Sequence, residues 1–188
     1  MRPFQGRLLD KLDNIFVKPS IEKEKASELL SSKKGLLFGQ KRLPLQKIEL
    51  IYIPYYLFKA SVLVTGKKLE VYLSVDAIGG TFGLFTEENL AFEKSPAGEF
   101  FDFAIAAEKA QIIAREEYRW FLIQHSLRKK NPPVLEYLKE YKKIYFPYWV
   151  GYYKEKKGYD FRAIDGVSGK LEGIKMRRVF LLAFSQKR

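Results

Sequence analysis

Three blocks of sequence occur twice and in the same order, and this repetition limits the fold more than any other feature of the chain. The first pair is Ile21-Glu22-Lys23-Glu24-Lys25-Ala26, followed by Leu29-Leu30, and Ile105-Ala106-Ala107-Glu108-Lys109-Ala110, followed by Ile112-Ile113. The second is Ile51-Tyr52-Ile53-Pro54-Tyr55-Tyr56 and Ile144-Tyr145-Phe146-Pro147-Tyr148-Trp149. The third is Val75-Asp76-Ala77-Ile78-Gly79-Gly80 and Ile164-Asp165-Gly166-Val167-Ser168-Gly169. From Ile21 to Ile105, Pro54 to Pro147 and Asp76 to Asp165 the offsets are 84, 93 and 89, so the second copy has a longer helix-to-strand connection and a shorter hairpin. One such match is weak evidence; three in register order read as a duplication.

Each copy reads as a helix followed by a strand meander. In the first, Ser20 is placed to cap a helix carrying Ile21, Ala26, Leu29 and Leu30 and ending near Gly35. A β-branched and aromatic run from Ile48 to Val64, a turn at Thr65-Gly66-Lys67-Lys68, an alternating strand Leu69 to Val75 and a strand Thr81 to Phe85 follow. In the second copy the pattern predicts a helix over Phe103 to Leu127, burying Ile105, Ile112, Ile113, Trp120 and Ile123, and a short helix from Val134 to about Lys142. Strands are expected at Ile144 to Tyr153, Tyr159 to Ile164, Leu171 to Ile174 and Met176 to Phe184. The predicted organisation is an amphipathic segment over 1–14, a first repeat over 15–86, a linker over 87–99, and a second repeat with a C-terminal strand extension over 100–188. The amphipathic spacing of Leu8, Leu9, Leu12, Ile15 and Phe16 suits a helix packed on the body. Pro54 and Pro147 cannot donate to a ladder, so the same edge, bulge or bend is expected twice.

The repeat resembles the PepSY domain, a helix-plus-strands module of thermolysin-type peptidase propeptides. The matching residues are Glu24-Lys25-Ala26 with Val75-Asp76-Ala77-Ile78-Gly79-Gly80-Thr81-Phe82, and Glu108-Lys109-Ala110 with Ile164-Asp165-Gly166-Val167-Ser168-Gly169-Lys170-Leu171. Gly79 and Ser168 stand where that family usually has Thr. The resemblance implies an α+β, cystatin-like fold: two tandem copies of a helix on an antiparallel three- to four-stranded meander, as two halves or one continuous sheet. It implies no catalytic residue, and its proposed role in peptidase inhibition carries over only as an expectation.

Independently of that resemblance, the two turns have a physical reading. Asp76 and Asp165 can accept backbone N–H bonds from the residues ahead of them, and Gly80 and Gly169 can supply the positive φ that closes such a turn. They are therefore expected to be structural. With no cysteine and one histidine among 188 residues, thiolate metal sites and thiol nucleophiles are excluded. His125 has no E-x-x-H partner, Gly166-Val167-Ser168-Gly169 is not a nucleophile elbow, and Gly79-Gly80 with Gly83 lacks phosphate-loop spacing. The chain is read as a non-enzyme with no metal and no cofactor.

Binding is the remaining class. A net charge of +12 limits large partners to anionic ones. Tyr55, Tyr56, Tyr148, Trp149, Tyr152 and Tyr153 lie on equivalent strands, and a protein partner is expected on an exposed aromatic strand surface that they form or on a sheet edge. Cationic clusters at Lys33-Lys34, Lys41-Arg42, Arg128-Lys129-Lys130, Lys142-Lys143, Lys154 to Lys157 and Arg177-Arg178 support the alternative, nucleic acid stacked on a basic sheet face. A homodimer and a small apolar ligand stay open. The longest apolar runs, Leu50 to Phe58 and Val179 to Phe184, are well short of the roughly 20 residues of a membrane helix. With no secretory signal, a cytoplasmic location is expected.

Overall fold

Two strands of 20 and 22 residues, β2 (Leu45–Val64) and β7 (Val134–Glu155), pair antiparallel along nearly their whole length at the centre of one eight-stranded sheet. The structure is a computed structural model that describes residues 15–31, 44–88, 90–126, 132–155 and 158–186. The segment 1–14 and the ends expected at Gly35 and Arg128 to Asn131 lie outside these residues. In chain order the other elements are β1 (Phe16–Val17), α1 (Lys23–Ser31), β3 (Lys67–Asp76), β4 (Phe82–Phe85), β5 (Phe92–Glu93), β6 (Glu99–Phe100), α2 (Ala107–Ser126), β8 (Gly158–Asp165) and α3 (Ile174–Gln186). The class is α+β, and the sheet is mixed but mostly antiparallel.

Around the central pair the two copies are arranged by a local twofold. Ile53 faces Phe146, its own counterpart in the repeat, and Pro54 faces Tyr145 just as Tyr52 faces Pro147. β3 and the parallel β6 share the outer edge of β2; β8 and the parallel β1 share the outer edge of β7. Pro54 and Pro147 occupy the gaps between those outer strands, where the carbonyl of Pro54 accepts from Ala77 N (2.8 Å) and that of Pro147 from Gly166 N (2.9 Å). A strand residue's N–H and C=O point to the same side, so the missing donor of each proline falls where no strand runs. The bulges of the central ladder lie elsewhere, at Leu45/Lys47, Leu57/Phe58 and Ser61/Val62.

The helices dock across the twofold. Ser20 N and Ile21 N, ahead of α1, donate to Gly166 O in the second copy's turn (3.0 and 2.9 Å), and Ala104 N and Ile105 N, ahead of α2, donate to Ala77 O in the first copy's turn (both 2.9 Å). A Cβ on Gly80 would meet Ile113 and Ile105, and one on Gly169 would meet the counterparts Leu29 and Ile21. Each helix entry is thus held by the other copy's turn, while α1 also packs on Leu50 and Tyr52 of β2 and α2 on Leu135 and Leu138 of β7, so each helix seats on strands of both copies. The stretch 87–99 is woven in as well: β5 pairs with β1, and β6 with β2.

Both sheet faces are covered over the central strands, which is why Leu50 to Phe58 reads as a continuous apolar run. On one face Leu50 and Tyr52 pack with Ala26 and Leu30 of α1, and Tyr56, Phe58, Ala60 and Val62 pack with Ala110, Ala114 and Tyr118 of α2. On the other, Ile51 and Ile53 pack with Met176, Val179, Phe180 and Ala183 of α3.

Several local expectations are corrected. Val134 to Lys142 is strand, not helix. Leu135 and Leu138 look helical in spacing, but the bulge at Ser61/Val62 skips Glu136 and brings both leucines to the α2 face. Met176 to Phe184 is the helix α3, and Leu171 keeps only a bridge to Ile164, so there is no C-terminal strand extension. Ser20 does not cap α1: the helix begins at Lys23 and its first bond runs from Ala26 N to Glu22 O (2.9 Å), which puts Glu22 rather than Ser20 at the cap position. Phe16 lies in β1 rather than in a helix. In α2 the small Ala110 and Ala114 face the sheet, allowing close approach, while Ile112, Trp120 and Ile123 are exposed.

Candidate functional site

The six aromatic residues expected at the surface are mostly interior. Tyr56, Tyr148, Trp149 and Tyr153 are buried, and Tyr55 and Tyr152 are partly so. Tyr56 donates to Ile105 O (2.9 Å) and its counterpart Trp149 donates through Nε1 to Ile21 O (2.7 Å), so each braces the entry to the other copy's helix. Tyr153 donates to Leu30 O (2.8 Å), and the hydroxyls of Tyr55 and Tyr148 pair at 2.7 Å. The exposed aromatic strand surface is therefore corrected: strands covered on both faces turn these rings into core and bracing groups. Tyr152 lines an open cleft.

The two turns hold their own backbone. The carboxylate of Asp76, fully buried, accepts from Ile78 N (3.0 Å), Gly79 N (2.5 Å) and Thr81 N (2.5 Å). Asp165 accepts from Val167 N (2.7 Å) and Ser168 N (2.8 Å). Gly80 and Gly169 take φ of 76° and 71°. His125 donates through Nδ1 to Phe121 O (2.8 Å) and stacks on the Phe121 ring. Among the described residues no group of three His, Cys, Asp or Glu side chains gathers as metal ligands.

The open features converge on α3, the element in which the copies differ most: after the turns, the first copy continues into β4 and the second into α3. On one flank of α3, Tyr152 and its cross-strand neighbour Phe161 combine with Tyr159, Leu181, Phe184 and Ser185 to form a cleft of about 330 Å³. The Phe161 and Phe184 rings meet edge to face at 5.5 Å, and Tyr152 lies 6.4 Å from Phe184. Tyr159 is 73% exposed and Leu181 52%. The cleft's carboxylate, Asp160, is engaged by Arg177 at 2.7 Å; Arg177 also donates to Phe161 O (2.8 Å) and lies 4.7 Å above the Phe161 ring. This leaves an apolar, aromatic pocket. Burial, with Glu49 adding to it, holds the Tyr152 phenol well above its ordinary pKa, so it stays neutral.

On the other flank, Gly79 to Phe82 of the Asp76 turn, Glu117 of α2, and Lys175, Arg178 and Val179 of α3 enclose a second, more polar cleft of about 280 Å³. Among the described residues Lys175 and Arg178 form no ion pair. The exposed apolar residues of α3 form its crest: Ile174, Leu181, which lines the first cleft, and Leu182, beside Gly79 of the second. A strand over Met176 to Phe184, as the sequence pattern suggests, would form neither cleft; the signal that finds α3 is the spacing of Met176, Val179, Phe180 and Ala183.

Charge is distributed unevenly along the chain. Of the 34 Lys and Arg, 14 fall outside the described residues, among them Lys33-Lys34, Lys41-Arg42 and Arg128-Lys129-Lys130, against 2 of the 22 Asp and Glu. The described residues thus carry 20 of each sign, and the excess of +12 belongs to the remaining segments. Lys142 is paired with Glu87 at 3.0 Å. No described helix is long and apolar enough to cross a membrane.

No protein-family model, curated protein or solved structure matches the chain.

Proposed function

We propose that this chain is a non-catalytic binding module that holds another protein across α3, with the Tyr152–Tyr159–Phe161–Leu181–Phe184 cleft as its anchor pocket. The observation that carries the reading is that cleft: an open concavity lined by four aromatic rings and a half-exposed leucine, the composition that anchors interface hot spots. Its one carboxylate is neutralised by Arg177, so an apolar side chain enters without stranding a charge. The duplicated body, read as a pair of PepSY-like modules with crossed helix entries, is the rigid platform that presents α3.

Nucleic acid is the second reading, favoured by the excess of +12. The balanced charge of the described residues weighs against a basic sheet face, and the aromatic residues named for stacking are mostly buried.

A pull-down from native lysate, with and without nuclease and at low and high salt, tests the reading. The full chain should retain a defined protein through both treatments, and Leu181→Asp and Tyr159→Ala, at exposed sites, should lose it without loss of stability. Recovery of only nuclease-sensitive, salt-sensitive material would overturn it, since phosphate contacts weaken steeply with salt and apolar contacts do not. Recovery of only a second copy of the chain, unaffected by the two variants, would also overturn it.

A further inference from the structure

The side chains that α3 leaves unsatisfied specify the chemistry of its partner, on the premise that α3 is the binding element. Residues 174–186 carry three cations, Lys175, Arg177 and Arg178, and no acidic residue. Arg177 is occupied by Asp160 and by the Phe161 carbonyl and ring. Lys175 and Arg178 line the cleft beside the Asp76 turn together with Glu117 of α2, so the cleft carries two cations against one carboxylate. Across the crest of Ile174 (88% exposed) and Leu181, the other flank is apolar. We infer that the partner is an acidic protein segment that crosses α3, setting one large apolar side chain into the aromatic cleft and its carboxylates against Lys175 and Arg178.

Charge and shape together favour this occupant. A lipid surface would meet the crest but is flat, and would leave the aromatic cleft unfilled. A nucleic acid strand would satisfy the two cations but would lay its phosphates over Ile174, Leu181 and Leu182. A polypeptide with alternating acidic and apolar groups meets all three surfaces. Lys175 and Leu181 are six residues apart on the helix, about 9 Å along its axis, which an extended segment spans in roughly three residues.

The test uses the full chain and fluorescence anisotropy with labelled ten-residue peptides. One carries paired glutamates three positions before a phenylalanine, a second replaces the glutamates by lysine, and a third replaces the phenylalanine by serine. The first should bind at least about tenfold more tightly than the others, since two ion pairs and one buried ring separate them. The double variant Lys175→Glu with Arg178→Glu should reverse the preference between the first two, and Leu181→Asp should abolish binding of both. Equal binding of the glutamate and lysine peptides, binding of none, or stronger binding of oligothymidylate or of phosphatidylserine vesicles would overturn the inference. The anchor-pocket reading has its own readout: a protein recovered by pull-down that depends on Leu181 but not on Lys175 and Arg178 sinks the acidic segment alone.

Discussion

The hydroxyl oxygens of Tyr55 and Tyr148 lie 2.7 Å apart, and the two residues hold corresponding positions in the recurring sequence blocks, so the two blocks meet at this bond. Tyr55 also donates to Met176 Sδ (3.6 Å), which leaves Tyr148 to donate to Tyr55. Burial raises both phenols above their ordinary pKa and keeps them neutral. Tyr55→Phe strands the Tyr148 hydroxyl and should cost about 1–2 kcal/mol, Tyr148→Phe leaves Tyr55 its bond to Met176 Sδ and should cost less, and the double replacement should cost less than the sum. Denaturant melts of Tyr55→Phe, Tyr148→Phe and the pair complete the cycle; strict additivity would show that the bond carries no coupling.

Glu172 follows the second turn, and burial first, then the nearby Asp165 carboxylate, pushes its pKa up to about 7 from an ordinary 4.5. The folded chain therefore binds this proton more tightly than the unfolded one. Stability should fall as pH rises from 4.5 to 7 and stay level above, and Glu172→Gln should remove that part of the slope. Urea midpoints at several pH values for the two proteins check this; parallel profiles would contradict it.

The two aspartates should differ in weight. Asp76 is fully buried and receives three N–H bonds, while Asp165 receives two from more exposed donors. Asp76→Ala should cost roughly 2–4 kcal/mol and Asp165→Ala roughly 1–2 kcal/mol, because buried donors left unpaired bear the larger penalty. Unchanged midpoints in both would reject a structural role.

The central β2–β7 ladder and the crossed helix entries make the halves interdependent. A protease site introduced between Lys94 and Ala97 and then cleaved should leave the two pieces together on gel filtration and unfolding in one transition. Each helix entry is bonded to the other piece's turn at 2.9–3.0 Å. Pieces that separate in native buffer would count against this interdependence.

Local chemistry made the two Asp turns, the main strand runs and α2 readable from the sequence. Asp76 and Asp165 answer to backbone donors two to five residues away, and Gly80 and Gly169 to their own φ, so short-range pattern suffices. What depends on distant partners was decided only in three dimensions. Whether Leu135 and Leu138 lie on a helix or a bulged strand depends on β2, some seventy residues earlier, and whether Tyr56 and Trp149 are surface or brace depends on which helix covers them. The apolar run from Val179 to Phe184 by itself fits strand or helix; the helical spacing shows once Met176 is counted with Val179, Phe180 and Ala183, and the sheet face formed by Ile51, Ile53 and Val150 is what buries that side. That docking of α3 also creates both clefts, so the candidate site stayed hidden: its walls come from the β7–β8 hairpin, the Asp76 turn, α2 and α3, brought together by packing that no local window contains.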